Sequence, residues 1–255
     1  MRLITWNVNG LRAHLKKGAW EWSAAQKADA ICYQEIKARP DQLTKAQMAL
    51  FDGYDPAWNP AERPGYSGVA TFSSSAPKET EIGFGVKKFD EEGRVIQSRF
   101  DDFVLLNAYF PSGTSGPHRV EFKMKFYAAL LKHIDKLHKA GDLVVLTGDF
   151  NTAFQEVDLA RPKGNKKTSG FLPEEREMLG KYFDHGLVDT FRNLNPDKQQ
   201  FTWWSQRSRT ARENNIGWRL DYFLVSEGLL PKVKSITIHD KVIGSDHCPV
   251  ELVLS

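Results

Sequence analysis

The stretch Leu143-Val144-Val145-Leu146-Thr147-Gly148-Asp149-Phe150-Asn151 decides the fold class of this chain. An uncharged, mostly aliphatic run reaches a glycine, and a carboxylate and an amide follow two positions apart. A short apolar run bounded by breakers reads as a strand buried on both faces. Alternate side chains of an extended segment share a side, so Asp149 and Asn151 leave the end of a central strand together. Gly148 lets the backbone come close to whatever they face. A carboxylate buried without partners is costly, so this strand end is where other reactive groups are expected to gather.

Working outward, the same design recurs. Leu3 to Val8 alternates and ends in Asn7-Val8-Asn9-Gly10. Ala30 to Gln34 is a second buried strand, with Glu35 at its tip. Gly68 to Ser73 and Val95 to Phe110 are β-prone, with a hairpin turn at Asp101-Asp102 and a proline stopping the second run just after Tyr109. Phe201 to Trp204, Arg219 to Val225, Ile236 to Ile238 and Val250 to Leu254 complete the strands. Helices fall at Trp20 to Lys27, along the stripe Tyr127, Leu130, Leu131, Ile134 and Leu137 up to Gly141, and from Pro173 towards Gly186. The stretch from Asn151 to Pro173 has little periodicity, and a loop of that length is usually functional. Strands outnumber helices. The expectation is an α/β chain in which sheet packs on sheet with helices outside, as one catalytic domain over residues 1–255.

The totals exclude several classes. A chain of 255 residues with 41% hydrophobic and 26% charged residues is an ordinary globular composition. The net charge of +3 does not by itself demand nucleic acid, so the distribution of charge must decide. Cys32 and Cys248 sit in apolar surroundings and read as reduced, buried thiols. No apolar run approaches the ~20 residues of a membrane span. The first residues already read as a strand rather than a leader, so a cytoplasmic, monomeric protein without a membrane partner is expected.

The polar tips form a set: Asn7, Asn9, Glu35, Tyr109, Asp149, Asn151, Asp221, Asp246 and His247. Singly, each has a plain explanation as a turn amide, a solvated acid, a packed aromatic or a structural histidine. Together they supply what phosphodiester hydrolysis needs, namely charge stabilisation on the phosphate, an activated water and a protonated leaving group. Glu35 is a hard oxygen ligand of the kind Mg²⁺ takes, and no cysteine–histidine spacing suits zinc. A histidine next to acids suits an imidazole oriented by a carboxylate.

These residues lie in blocks: Trp6-Asn7-Val8-Asn9-Gly10-Leu11-Arg12, Gln34-Glu35-Ile36-Lys37, Gly65-Tyr66-Ser67-Gly68-Val69-Ala70, Gly148-Asp149-Phe150-Asn151, Gly170-Phe171-Leu172-Pro173, Gly217-Trp218-Arg219-Leu220-Asp221-Tyr222 and Gly244-Ser245-Asp246-His247-Cys248-Pro249. In this order, and spanning essentially the whole chain, they resemble the exonuclease III family of apurinic/apyrimidinic endonucleases, within the endonuclease/exonuclease/phosphatase superfamily. The resemblance implies a four-layer α/β sandwich of two packed mixed sheets flanked by helices. It implies Glu35 as principal Mg²⁺ ligand, with Asn7, Asn9 and Asp246 contributing and Mn²⁺ able to substitute. It implies Asp149 as the residue that activates water or supplies a proton, Asn151 orienting the water or phosphate, His247 with Asp221 as the phosphate-binding pair, and Tyr109 on the phosphate or leaving group. Trp203 and Trp218 match the pocket for a flipped-out, base-less sugar. Position 9 carries an amide where some relatives carry an acid, and Ser112 stands where some carry asparagine on the phosphate.

The remaining cations fit a duplex partner. Arg161, Lys163, Lys166 and Lys167 lie on one loop, and Arg207, Arg209 and Arg212 on another just after Trp203-Trp204. Arg207 is placed to enter the duplex and hold a damaged nucleotide out of the stack. The leading expectation is a Mg²⁺-dependent DNA repair endonuclease that cuts 5′ to an abasic site and leaves a 3′-hydroxyl. A 3′→5′ exonuclease, 3′-phosphodiesterase or deoxyuridine-incising activity is compatible with it. The alternatives are a superfamily phosphodiesterase acting on inositol phosphates or phospholipids, which shares the central acid, amide and histidine, and a damaged-DNA reader that does not cut.

Overall fold

The computed structural model describes residues 1–208 and 210–255, so Arg209, one of the expected DNA contacts, lies outside the described residues. In chain order the strands are β1 (Arg2–Asn7), β2 (Ala30–Gln34), β3 (Asp55–Asn59), β4 (Val69–Ser73), β5 (Glu79–Ile82), β6 (Val95–Arg99) and β7 (Val104–Tyr109). They continue with β8 (Val144–Asp149), β9 (Leu187–Asp189), β10 (Trp203–Trp204), β11 (Gly217–Trp218), β12 (Asp221–Ser226), β13 (Val233–Ile238) and β14 (Val250–Leu254). The helices are α1 (Leu11–Lys16), α2 (Ala19–Ala25), α3 (Lys45–Ala49), α4 (Lys87–Asp90), α5 (Pro117–Lys139), α6 (Pro162–Asn165), α7 (Pro173–Asp184) and α8 (Thr190–Leu194).

Two six-stranded sheets form, in the orders β13-β14-β1-β2-β4-β3 and β5-β6-β7-β8-β12-β9. Each is mixed, with one parallel pair: β1 with β2 in the first, β7 with β8 in the second. Strand β8 has the two covered faces its composition demands. Val144 and Leu146 lie under α5 and α7, while Val145 faces the first sheet beside Leu3, Cys32 and Leu252. The outer face of the first sheet is covered by α1 and α2, through Leu11, Leu15 and Trp20 packed on Ile4, Ile31 and Tyr33. The result is the expected four-layer α/β sandwich.

The space between the sheets is not purely apolar. Gln34 Nε2 donates to Thr5 Oγ1 and to Asn107 Oδ1, both at 2.8 Å, and Asn107 Nδ2 donates to the Ala70 carbonyl at 2.9 Å. A buried amide chain of this kind, bonded across the sheets through Gln34 Nε2 and Asn107, fixes the register of one sheet on the other. Cys32 and Cys248 are buried in the same layer as free thiols.

Sequence expectations and structure part at a few elements. Helix α1 and strand β3 were not anticipated. The first has no side-chain N-cap bond, and the second is an edge strand that contains Pro56, a residue that sheets tolerate at their edges. The stretch after Asn151 contains the short α6 and a single 3₁₀ turn, Glu156–Asp158. The turn at Asp101-Asp102 is closed by the Phe100 N–H on the Phe103 carbonyl at 2.9 Å. No described helix is long and apolar enough to cross a membrane.

Candidate active site

The two parallel pairs explain why the polar tips meet. Within each sheet the register sets Asn7 opposite Gln34, and Tyr109 opposite Asp149. Strand β12 runs antiparallel to β8 and brings Asp221 opposite Asp149. Across the sheets, Asn7 Nδ2 donates to Asp149 Oδ2 at 2.8 Å and to Glu35 Oε2 at 3.0 Å, which joins the ends of β1, β2 and β8. Gly148 is required here, because at φ 135° a Cβ would run into the Ala108 carbonyl. The rim also collects left-handed backbone at residues other than glycine: Asn9 (φ 44°), Glu35 (φ 54°), Lys37 (φ 51°) and Asn151 (φ 51°). Such conformations cost free energy and persist where surrounding contacts over-determine them.

At the centre, Asp149 Oδ1 accepts the Asn151 backbone N–H at 2.8 Å, and its Oδ2 accepts from Asn151 Nδ2 at 3.2 Å. His247 Nδ1 lies 2.8 Å from Asp221 Oδ2, and its Nε2 lies 3.8 Å from Asp149 Oδ2. All three groups are buried. Burial raises the pKa of Asp149 to about 7 against the lowering pull of His247, with Asp221 raising it further. For His247, burial alone would lower the pKa, but the carboxylates of Asp221 and Asp149 outweigh it and raise it to about 10. The imidazole is therefore a cation near neutral pH, with Asp221 behind it. Tyr109 keeps its proton, since burial, Glu35 and Asp149 each push its pKa well above the usual phenol range.

Donor atoms of Asp149, Asp221 and His247 lie within 4.8 Å of one another, a spacing that would suit a metal ion. The same three groups also make an ion pair, with His247 Nδ1 2.8 Å from Asp221 and Nε2 3.8 Å from Asp149. The hard-oxygen set is on the other side. The Glu35 carboxylate keeps about a fifth of its surface exposed and holds Lys37 Nζ at 2.9 Å, and Lys37 also donates to Asn9 Oδ1 at 2.6 Å. Asn9 Nδ2 donates to Asp246 Oδ1 at 2.9 Å. Burial works to raise the pKa of Asp246, yet His247, Asn9 and Trp203 hold it below the usual carboxylate range. Glu35 and Asp246, with the amide oxygens of Asn7 and Asn9, are the residues that could hold Mg²⁺: each offers oxygen, the donor Mg²⁺ prefers.

Beside the acids stands an aromatic wall. Trp203 Nε1 donates to Asp246 Oδ2 at 3.1 Å, and its ring meets Trp218 edge-on with centroids 6.4 Å apart. Both tryptophans are half-buried on a small apolar cluster of Ala153, Leu159, Phe171 and Leu220. Arg207 is exposed on the following loop. Lys166 is exposed and lies 3.6 Å from Glu156. Ser112 Oγ lies 3.0 Å from Thr114 Oγ1 at the half-buried rim. Arg212 departs from its expected place among the DNA-facing cations. It is folded inward over the Trp204 ring and donates to the carbonyls of Asp240 (2.8 Å), Val242 (2.6 Å) and Ser245 (3.2 Å). Three satisfied acceptors in the wall outcompete solvent for a guanidinium.

Several supporting residues were missed in the sequence. Thr202 Oγ1 accepts the N–H groups of Leu220 (2.9 Å) and Asp221 (3.1 Å), fixing the start of β12. Arg94, fully buried, donates to the Tyr109 carbonyl at 2.8 Å and lies over its ring. Lys37 carried a signal, because it sits two positions after Glu35. The others are distant in sequence from the groups they hold and carry none.

Comparison with known proteins agrees with this geometry. The family model described as "Endonuclease/Exonuclease/phosphatase family" matches residues 4–247. A Bacillus subtilis protein named exodeoxyribonuclease is 41% identical over 257 aligned residues, covering 100% of both chains. A Danio rerio protein named DNA repair nuclease APEX1 is 39% identical, covering 100% of this chain and 82% of that one. Among solved structures, the AP endonuclease LMAP from Leishmania major superposes with a TM-score of 0.89 at 32% identity, covering 99% of this chain and 87% of that one. An AP endonuclease from Archaeoglobus fulgidus superposes with a TM-score of 0.90 at 25% identity, covering 100% and 99%.

Proposed function

This chain belongs to the endonuclease/exonuclease/phosphatase family, and from that premise we propose that it is a Mg²⁺-dependent DNA repair endonuclease. It hydrolyses the phosphodiester 5′ to an abasic site in duplex DNA and leaves a 3′-hydroxyl. The observation that carries the reading is the buried trio in which Asp149, with a pKa near neutrality, lies beside an imidazolium held by Asp221. Groups poised in this way suit proton transfer and anion stabilisation in one place. The name of the Danio rerio protein supports a role in DNA repair, and that of the Leishmania major AP endonuclease supports the abasic-site substrate.

The roles follow from position. His247 Nε2 donates to a non-bridging oxygen of the scissile phosphate, and its charge offsets the charge that builds there. Asp149 takes the proton of the attacking water as the new P–O bond forms and the bond to the 3′ oxygen breaks. Asn7 and Asn151, already donating to Asp149, keep its oxygens aimed at the opening. The neutral Tyr109 phenol donates to the phosphate or the departing oxygen. Mg²⁺ bound at Glu35, with Asp246, Asn7 and Asn9, would neutralise phosphate charge and ease departure of that oxygen. Trp203 and Trp218 line the space for the base-less sugar, while Arg207 and Lys166, with Ser112 at the rim, meet the backbone. Arg209, two positions after Arg207 in the sequence, is proposed to add to the same positive charge. The name of the Bacillus subtilis relative favours an exodeoxyribonuclease activity alongside.

The test is a duplex oligonucleotide with one abasic-site analogue, an undamaged control and a uracil-containing control, each with Mg²⁺ and with EDTA. Incision at the lesion that needs Mg²⁺ is expected. Binding without incision, or incision unchanged in EDTA, would overturn the reading. Glu35→Gln should shift the Mg²⁺ titration to higher concentration by about 10-fold or more, in line with losing a principal ligand. An unmoved titration curve would remove Glu35 from the metal site.

A further inference from the structure

One buried charge pair lies outside the groups discussed so far. Lys123 on α5 and Glu175 on α7 are both fully buried, with Nζ 2.8 Å from Oε1. The same ammonium donates to the Asn151 carbonyl at 2.7 Å. One turn along α5, on the same face, the Tyr127 hydroxyl lies 2.7 Å from the Phe150 carbonyl and 3.0 Å from Thr152 Oγ1. Helix α5 thus grips the chain at residues 150, 151 and 152. Asn151, between these grips, is in the left-handed region; its backbone N–H goes to Asp149, and its side-chain amide donates to the Phe110 carbonyl at 2.9 Å and to Asp149 at 3.2 Å. Glu175 does more than neutralise the lysine. It accepts from Ser169 Oγ at 2.8 Å and from the N–H groups of Gly170 and Leu172. The Gly170 carbonyl in turn accepts the Ala153 N–H at 2.8 Å, and a Cβ on Gly170 would lie 3.2 Å from both the Asn151 carbonyl oxygen and the Trp218 ring.

We infer that Lys123 is a positioning residue for hydrolysis: it holds the 151–152 peptide so that Asn151 keeps Asp149 aimed, and Glu175 is the counter-charge that permits a cation to be buried there. The inference rests on the proposed role of Asp149. A purely apolar contact would fill the same space without an N–H donor for the Asn151 carbonyl. That carbonyl would then be free to turn about the Asn151 Cα–C bond, and the left-handed conformation of Asn151, whose N–H and side-chain amide hold Asp149, would lose its anchor. Burying an ion pair is a poor way to gain stability, whereas fixing one peptide next to the reacting group is a use that an apolar pair cannot replace.

Lys123→Met alone leaves Glu175 buried and unpaired and can fail to fold, so the main test is the neutral pair Lys123→Met/Glu175→Gln. Lys123→Gln, too short to reach the carbonyl, is the second variant. Two readouts are taken: single-turnover incision of the abasic-analogue duplex against its Kd, and amide hydrogen exchange of residues 149–153. The expected result in either variant is a rate about 10- to 100-fold lower, as small misplacements of reacting groups produce. The Kd should stay within about three-fold, and exchange at 149–153 should be faster. Incision within about two-fold of wild type, or a loss that simply tracks a lowered melting temperature, would overturn the inference. If wild type itself leaves the abasic duplex uncut, the functional reading falls. The exchange measurement then decides the positional claim, which unchanged protection of residues 149–153 would sink.

Discussion

Asp149 is the residue on which the chemistry turns, and its surroundings separate binding from reaction. It touches Asn7, Asn151 and His247 but none of the exposed cations. Asp149→Asn is therefore expected to lower single-turnover incision by about 1000-fold or more while the abasic duplex still binds, because proton transfer and its electrostatics are removed and the phosphate contacts are not. Incision within 10-fold of wild type would take that role away from Asp149. The two described arginines of the basic loop should behave differently from each other. Arg207→Ala is expected to reduce the salt slope of duplex binding by about one phosphate contact. Arg212→Ala should leave that slope alone and lower stability by about 1–3 kcal/mol, since three carbonyls lose their donor. A salt slope that changes in Arg212→Ala would place that residue on the DNA. Composition alone groups the two arginines, because a sequence shows charge but not which way a side chain folds.

Strand β8 and its neighbours were legible for a physical reason. An uncharged run ended by Gly-Asp can be satisfied only with both faces covered, and the polar tips of β1, β2 and β8 mark the end that stays accessible to a substrate. The prediction at this scale concerns Gly148, whose Cα lies against the backbone of β7. Gly148→Ala combines a left-handed φ with a clash on a main-chain carbonyl that cannot move away. It should cost about 3 kcal/mol or more in urea unfolding, and a loss below about 1 kcal/mol would show that the β7–β8 pair can part there. The elements that escaped notice, among them α1, α3, α4, α8, β3, β5 and β9, are short and weakly patterned, and their burial is decided by what packs on them.

At the scale of the molecule, four layers bury His14 completely among Trp6 and Tyr33, with Nε2 3.3 Å from the Tyr33 hydroxyl. Burial, then Lys17, lowers its pKa from the ordinary 6.5 to about 3. The unfolded chain binds this proton first, so His14 leaves stability untouched above pH 6.5 and erodes it as pH falls from 6.5 towards 3, by up to about 1.4 kcal/mol per pH unit. His14→Gln should flatten the loss of stability between pH 6.5 and 4 measured by denaturant titration. Equal slopes in both proteins would show that the ring titrates freely in the fold. Sequence alone was enough for the α/β class, the strand ends and the family resemblance, because apolar runs, breakers and ordered motifs are local properties. It named Asp149, Asn151, Asp221 and His247, and the resemblance paired Asp221 with His247. Tertiary structure alone decided that Arg219 goes to Asp158 and Asp189, that Arg212 faces inward, and that Lys123 reaches Asn151. Those pairings depend on which buried charge meets which across strands and helices far apart in the chain, and only the closed sandwich, with water excluded, selects among them.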